Sequence, residues 1–148
     1  MKNRILFVCI HNSARSQMAE AFLNQLGAEN FEAESAGLEP GKLNPNVVEV
    51  MQEAGIDISG NPTKSVFDIL KEGKQYDAVI TVCDAASAES CPVFPGKVKR
   101  IGWSFADPSK FTGSKDEILQ QTRLVRDEVK TKIAEFIKEA SAVSYWVQ

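Results

Sequence analysis

In the stretch VCIHNSARSQMAE, residues 8–20, a cysteine, Cys9, stands six positions before an arginine, Arg15. A thiol and a guanidinium placed around a short polar loop can hold a tetrahedral oxyanion between them. The backbone N–H groups of Ile10, His11, Asn12, Ser13, Ala14 and Arg15 would point inward, and a helix beginning near Ser16 would add its positive end. Arg15 supplies a forked, permanent cation that matches two oxygens of a phosphate-like ligand. The same field favours a thiolate at Cys9, and the Ser16 hydroxyl is placed to donate to the sulfur. Binding site and nucleophile then come from one loop. The bland alternative is a small apolar residue closing a buried strand, with an unrelated arginine nearby. The position between a buried strand and an amphipathic helix favours the chemical reading. No G-x-x-x-x-G-K-[ST] pattern occurs, which argues against a nucleotide-binding loop of that kind.

Such a loop needs a rigid frame. Residues 4–9, RILFVC, are a continuous apolar run, which predicts a strand buried on both faces of a parallel sheet. From Ser16 onward Met18, Ala19, Phe22, Leu23 and Leu26 recur at helical spacing, and Gly27 ends the run. FEAESAG, 31–37, alternates and predicts a second strand. Residues 44–55 predict a helix with Asn44 as cap, Pro45 in the first turn and Val47, Val50, Met51 and Ala54 as its apolar stripe. A short helix over 64–72 and a third strand over 76–83, YDAVITVC, follow. Residues 84–96 contain two prolines and a glycine and read as helix or loop. VKRIGWSF, 98–105, is a weaker fourth strand. From about 113 to 140, Ile118, Thr122, Val125, Val129, Ile133 and Phe136 mark a long amphipathic helix. Alternating strands and helices predict an α/β fold, a parallel sheet with helices on both faces. Ligands in such sheets bind beyond the carboxyl ends of the strands. Cys9 ends the first strand, Cys83 the third, and Asp107 lies just past the fourth, so all three should share one rim.

The 148 residues suit one domain, 1–148, with the tail 141–148 unassigned. Hydrophobic content of 43% and charged content of 25% are ordinary for a soluble protein, and a net charge of −3 offers no broad basic field for nucleic acid or an anionic membrane. An anionic ligand must therefore be drawn by a local site. The opening MKNRILFVCI is too short for a signal-peptide core, and nothing approaches the roughly 20 apolar residues of a membrane span. A cytoplasmic monomer is expected. Three cysteines are an odd number, and the cytosol keeps thiols reduced. Chemistry, metal binding and plain burial remain open for them. With one histidine and no Cys-x2-Cys, metal binding is the weaker option.

VCIHNSARSQMAEAF, SAG at 35–37, NPNVVEVMQEAGIDIS at 44–59, VITVC at 79–83 and ADPS at 106–109 together resemble the thioredoxin-coupled arsenate reductases. These share the fold of the low-molecular-weight protein tyrosine phosphatases. The resemblance spans roughly residues 4 to 138. It implies a three-layer sandwich with a four-stranded parallel sheet in the order 2-1-3-4. It also implies one of two fates for the adduct on Cys9. In a phosphatase, Asp107 protonates the leaving group and water releases phosphate. In a reductase, Cys83 attacks the sulfur of the arsenic adduct, arsenite leaves, and Cys91 then attacks Cys83, carrying the disulfide outward for thioredoxin or a similar dithiol protein. No organic cofactor is implied. A non-enzymatic thiol sensor or oxyanion-binding module is a third reading.

Several positions depart from the pattern. Relatives often carry glycine where His11 stands and cysteine where Ala14 stands. Gln17 replaces the proline typical of the phosphatases, and Ser109 replaces the tyrosine that follows their Asp-Pro; both favour the reductase branch. Asp107 can also be read as a turn residue before proline, and His11 as an exposed loop side chain. The Cys83–Cys91 spacing is one residue longer than usual. A helix over it would rise about 12 Å, whereas a disulfide wants Cα atoms about 4.4–6.8 Å apart. Oxidation must therefore reshape the segment. Some relatives bind potassium at the positions of Asn12, Glu20 and Ser35 with a further carboxylate. Here that carboxylate is missing and Lys64 lies near its place.

Overall fold

A computed structural model of the chain describes residues 2–83 and 89–147. At its centre is a four-stranded, all-parallel sheet in the order β2-β1-β3-β4. Strand β1, Asn3–Cys9, lies in the middle, where Ile5, Leu6, Phe7 and Val8 are fully buried. Burying each such side chain contributes about 1.5–3 kcal/mol, and only a strand covered on both faces can collect all four. Strand β2, Phe31–Gly37, pairs with β1 so that Gly37 faces Cys9. Strand β3, Ala78–Thr81, flanks β1 on the other side, and β4, Lys99–Gly102, closes that edge.

The helices divide between the two faces. Helix α1, Arg15–Leu26, α2, Pro45–Glu53, and the long α4, Lys115–Ala140, send Met18, Phe22, Val47, Met51, Val129 and Ile133 into one core with Ile5 and Phe7. Helix α3, Val66–Lys71, covers the opposite face, where Val66 and Ile69 meet Leu6, Val8 and Val79. Capping follows the sequence: Asn44 accepts from the amides of Asn46 and Val47 with Pro45 at the first position, and Ser114 with Glu117 forms a capping box at α4.

Four expectations are refined. Strand β3 is shorter than 76–83. Its bonding to β1 extends to Val82 N–H donating to Val8 O at 2.9 Å, which leaves Cys83 just beyond the ladder. In α4 Leu119, not Ile118, occupies the buried stripe, because the helix starts only at Lys115 and Ile118 faces its half-exposed first turn. Ala54 closes α2 as its C-cap instead of extending the stripe. The helix-or-loop stretch 84–96 falls partly outside the described residues; 89–96 contain turns and bends but no helix.

The tail has a place. A 3-10 turn, Val143–Tyr145, brings the Tyr145 ring onto Phe136, and Trp146 Nε1 donates to Ala140 O at 2.8 Å. Lys99 Nζ donates to Tyr145 O at 2.8 Å and lies 4.2 Å over that ring, which ties the tail to edge strand β4. Among the described residues, no helix is long and apolar enough to cross a membrane.

Candidate active site

The loop between β1 and α1 is fixed from outside. Its carbonyls are taken one after another by the segment that follows β2. Leu38 N–H donates to Cys9 O at 3.1 Å, Glu39 N–H to Ile10 O at 2.7 Å, Gly41 N–H to His11 O at 3.0 Å and Asn44 N–H to Ser13 O at 3.0 Å. The Gln17 side chain donates to Asn12 O at 3.1 Å. With the carbonyls turned outward, the peptide planes turn their N–H groups toward the interior of the loop. Gly37 permits this closeness: a Cβ there would sit 2.7 Å from Asn12 N and 2.8 Å from Ile10 O. Helix α1 begins at Arg15 with no side-chain cap and no acidic residue in its first turn, so its positive end faces the loop unshielded.

The sulfur of Cys9 sits at the base. Asn12 N–H donates to it at 3.1 Å, and Ser16 Oγ lies 2.8 Å away. The direction of the second bond follows from its neighbours. Lys64 N–H donates to Asn12 Oδ1 at 2.9 Å, which fixes the Asn12 amide and turns its Nδ2 to donate to Ser16 Oγ at 2.8 Å and Ser35 Oγ at 2.9 Å. Ser16 Oγ thus accepts, leaving its own proton for the sulfur. Two donors are thus aimed at one sulfur. Asn12 itself is fully buried and holds φ of 56°, a left-handed conformation that asparagine tolerates.

Arg15 is 6% exposed and does not extend into solvent. Its Nη1 donates to Phe105 O at 3.3 Å and its Nη2 lies 3.6 Å from Asp107 Oδ2. Asp107 caps a 3-10 turn, Pro108–Lys110, in which Ser109 donates to Asp107 Oδ1 from its amide at 3.0 Å and its hydroxyl at 2.8 Å. Burial pushes the Asp107 carboxyl upward, but the two Ser109 bonds and the charges of Arg15 and Lys110 outweigh it and hold the carboxyl below its ordinary range. Asp107 is thus a turn cap, as the sequence allowed, and its other carboxyl oxygen faces the guanidinium.

Cys9 and Arg15 are brought together with Ser16, Asn12 and Asp107 on one rim. Cys83 is buried immediately beyond β3, the strand beside β1. Cys91 lies on the other face of the sheet, packed with Val79, Tyr76 and Phe94, whereas Cys9 belongs to the core beneath α1. Burial pushes the Cys91 thiol up, the charge of Arg100 draws it down, Cys83 adds to the rise, and the net direction is up. Cys9 and Cys91 are free thiols. His11 is exposed, with Nδ1 at 2.9 Å from Glu39 O, as its loop position implies. Ser13 and Ala14 complete the loop, with Ala14 buried beneath α1.

Asn12, Ser35 and Glu20 do converge, as a hydrogen-bonded chain in which Ser35 Oγ donates to Glu20 Oε1 at 2.8 Å. Burial raises the Glu20 carboxyl, against the Ser35 bond and the Lys64 charge. As bonded here the three do not fit a potassium ion. Asn12 turns nitrogen, not oxygen, toward Ser35; its oxygen already accepts from Lys64 N–H and Gln17; and Lys64 puts a positive charge beside Glu20. Among the described residues, no group of three or more His, Cys, Asp or Glu side chains stands together to hold a metal ion.

Sequence reasoning missed the Phe105 carbonyl, the Lys64 amide and the clamp by Gln17. Backbone partners leave no residue-type signal. The Asp-Pro-Ser run did carry one for Ser109, since aspartate followed by proline is a helix-start pattern whose carboxylate accepts from the residue two positions on.

This fold and loop define a class. The low molecular weight phosphotyrosine protein phosphatase family matches residues 4–143, and the chain belongs to that family. Within it, the chain stands with the arsenate reductases. It is 43% identical over 136 residues to the arsenate reductase of Shouchella clausii, covering 91% of this chain and 95% of that one. A solved arsenate reductase in the phosphate binding state superposes with a TM-score of 0.74 at 32% identity, over 93% of this chain and 98% of the other. A thioredoxin-dependent arsenate reductase of Corynebacterium glutamicum superposes with a TM-score of 0.70 at 26% identity, over 95% of this chain and 62% of the other.

Proposed function

We propose that this protein reduces arsenate to arsenite, using Cys9 as nucleophile and Cys83 and Cys91 as a disulfide relay. The observation that carries the reading is the Cys9 sulfur held by Asn12 N–H and Ser16 Oγ beneath an uncapped helix start, with a second buried thiol, Cys83, just past the neighbouring strand. The loop amides and Arg15 bind the oxyanion. The Cys9 thiolate attacks arsenic(V), forming an S–As bond while one oxygen leaves as water. Asp107 delivers the proton. A bound dianion competes for Arg15 and adds negative charge beside the carboxyl, which raises its proton affinity when the proton is needed. The Cys83 thiolate then attacks Cys9 Sγ. The S–As bond breaks, its electron pair stays on arsenic, and arsenite departs as arsenic(III). Cys91 next attacks Cys83 Sγ, forming the 83–91 disulfide and releasing the Cys9 thiolate. An external dithiol protein of the thioredoxin kind takes up that disulfide and becomes oxidised in turn.

The rival reading, hydrolysis of phosphate monoesters through a phosphocysteine, uses the same loop and Asp107 but gives Cys83 and Cys91 no task. The test is a coupled assay of arsenate with thioredoxin and its reductase. Many turnovers per protein molecule are expected, lost on Cys83→Ser. Phosphate-ester hydrolysis that survives Cys83→Ser, without arsenate turnover in the parent, would favour the rival.

A further inference from the structure

Cys91 must become a nucleophile while buried in an apolar cluster, the environment least suited to a thiolate. A cation lies on its side of the sheet edge. In the β3–β4 register Arg100 pairs with Val79, and side chains of paired residues in a sheet share a face. Val79 packs in the cluster that contains Cys91, whereas its neighbours Ala78 and Ile80, and Ile101 beside Arg100, belong to the opposite core. A cleft of about 110 Å³ on this face is lined by Arg100 together with Val79, Val98 and Pro92, Val93 and Phe94, the residues that directly follow Cys91. Arg100 is exposed and Val93 is 72% exposed, so the cleft opens to solvent.

We propose that Arg100 is a positioning residue for the last internal step of the relay, in which its guanidinium stabilises the Cys91 thiolate that attacks Cys83. The proposal rests on the relay reading given above. In that step the proton leaves Cys91 for solvent, the Cys91–Cys83 bond forms, the Cys83–Cys9 bond breaks, and Cys9 leaves as thiolate; no electrons enter or leave the protein. Among the described residues, the groups facing Cys91 are few. Arg100 comes from β4, Cys83 from the end of β3, and the neutral Tyr76 from the same cluster; of these, Arg100 is the one that favours the anion.

The test uses the full chain with Cys9→Ser and Cys83→Ser, which leaves Cys91 as its one thiol. Ultraviolet thiolate absorbance is followed against pH. Arg100→Met is expected to move the midpoint upward, and Arg100→Lys to return most of the shift. Added salt should raise the midpoint with arginine present and leave it unmoved with methionine. In the three-cysteine protein, Arg100→Met should slow formation of the 83–91 disulfide about three- to tenfold near neutral pH, with formation of the 9–83 disulfide unchanged. Coincident titrations with and without the Arg100→Met substitution would overturn the proposal and leave the relay standing. Multiple arsenate turnovers by Cys91→Ser would overturn the relay itself, and this role for Arg100 with it.

Discussion

The cradle around Cys9 and the segment around Cys91 are held in opposite ways. From Cys9 to Ala14 every carbonyl has a partner within the protein, and the one left-handed residue, Asn12, is bonded through its amide N–H, its carbonyl and both ends of its side chain. Residues 89–98, by contrast, make no backbone–backbone hydrogen bond with another described residue. Side chains hold them: Cys91 and Phe94 in the second core, with Phe94 meeting the Tyr76 ring edge-on at 5.7 Å. The difference matches the two tasks proposed above. An oxyanion site works by donors fixed before the ligand arrives. In the proposed relay Cys91 must move to reach Cys83, which suits a stretch held by side-chain packing instead of a continuous backbone ladder.

Substitution of the reacting thiols separates the regions most sharply. Cys9→Ser is expected to abolish arsenate turnover, by on the order of 10⁴-fold. Cys83→Ser should abolish it equally while leaving oxyanion binding in the cradle near that of the parent, measured by calorimetry with phosphate. Loss of phosphate binding in Cys83→Ser would mean that the two regions are one unit. Next in size is Asp107→Asn, expected to slow the arsenic-transfer step by roughly 10²–10⁴-fold, read in single-turnover arsenite release. The Ser109 hydrogen bonds to Asp107, with the Arg15 charge beside it, also give a pH signature. Because the folded carboxyl is held below its ordinary value, its contribution to stability is fully present above about pH 4 and is lost as pH falls through the folded value. Urea unfolding of parent and Asp107→Asn should therefore differ by a constant amount near neutrality and converge in acid.

Gly37→Ala presses a Cβ into the Asn12 backbone at 2.7 Å, where no side chain can give way. A destabilisation of about 1–3 kcal/mol is expected, with weaker phosphate binding. Ser109→Ala is the smallest of these changes, about 0.5–1.5 kcal/mol, from the loss of one hydroxyl bond to Asp107. It should shift the acid limb of the Asp107 signature upward, seen in the same urea series.

Much of the frame was legible because periodicity speaks where burial is two-sided. RILFVC predicts β1, FEAESAG coincides with β2, and Asn44-Pro45 marks the start of α2. The loop was legible because Cys9, Arg15 and Ser16 must carry particular atoms. What stayed hidden is what the chain supplies by backbone or by distant contact. Nothing in the residue types announces that Phe105 O would receive Arg15, or that Lys64 N–H would orient Asn12. That Cys91 lies on the face opposite Cys9 follows from sheet geometry and could not be read from a nine-residue segment. The tail was silent because its anchors, Lys99 and Phe136, belong to distant elements.

The most direct measurement is the disulfide trapped after one turnover. Reduced Cys91→Ser is mixed with arsenate, quenched in acid and digested, and the linked peptides are mapped by mass spectrometry alongside released arsenite. The proposed relay predicts a Cys9–Cys83 disulfide formed in step with one equivalent of arsenite. Free Cys9 and Cys83 with no arsenite, in a protein that still hydrolyses a phosphate ester, would contradict it.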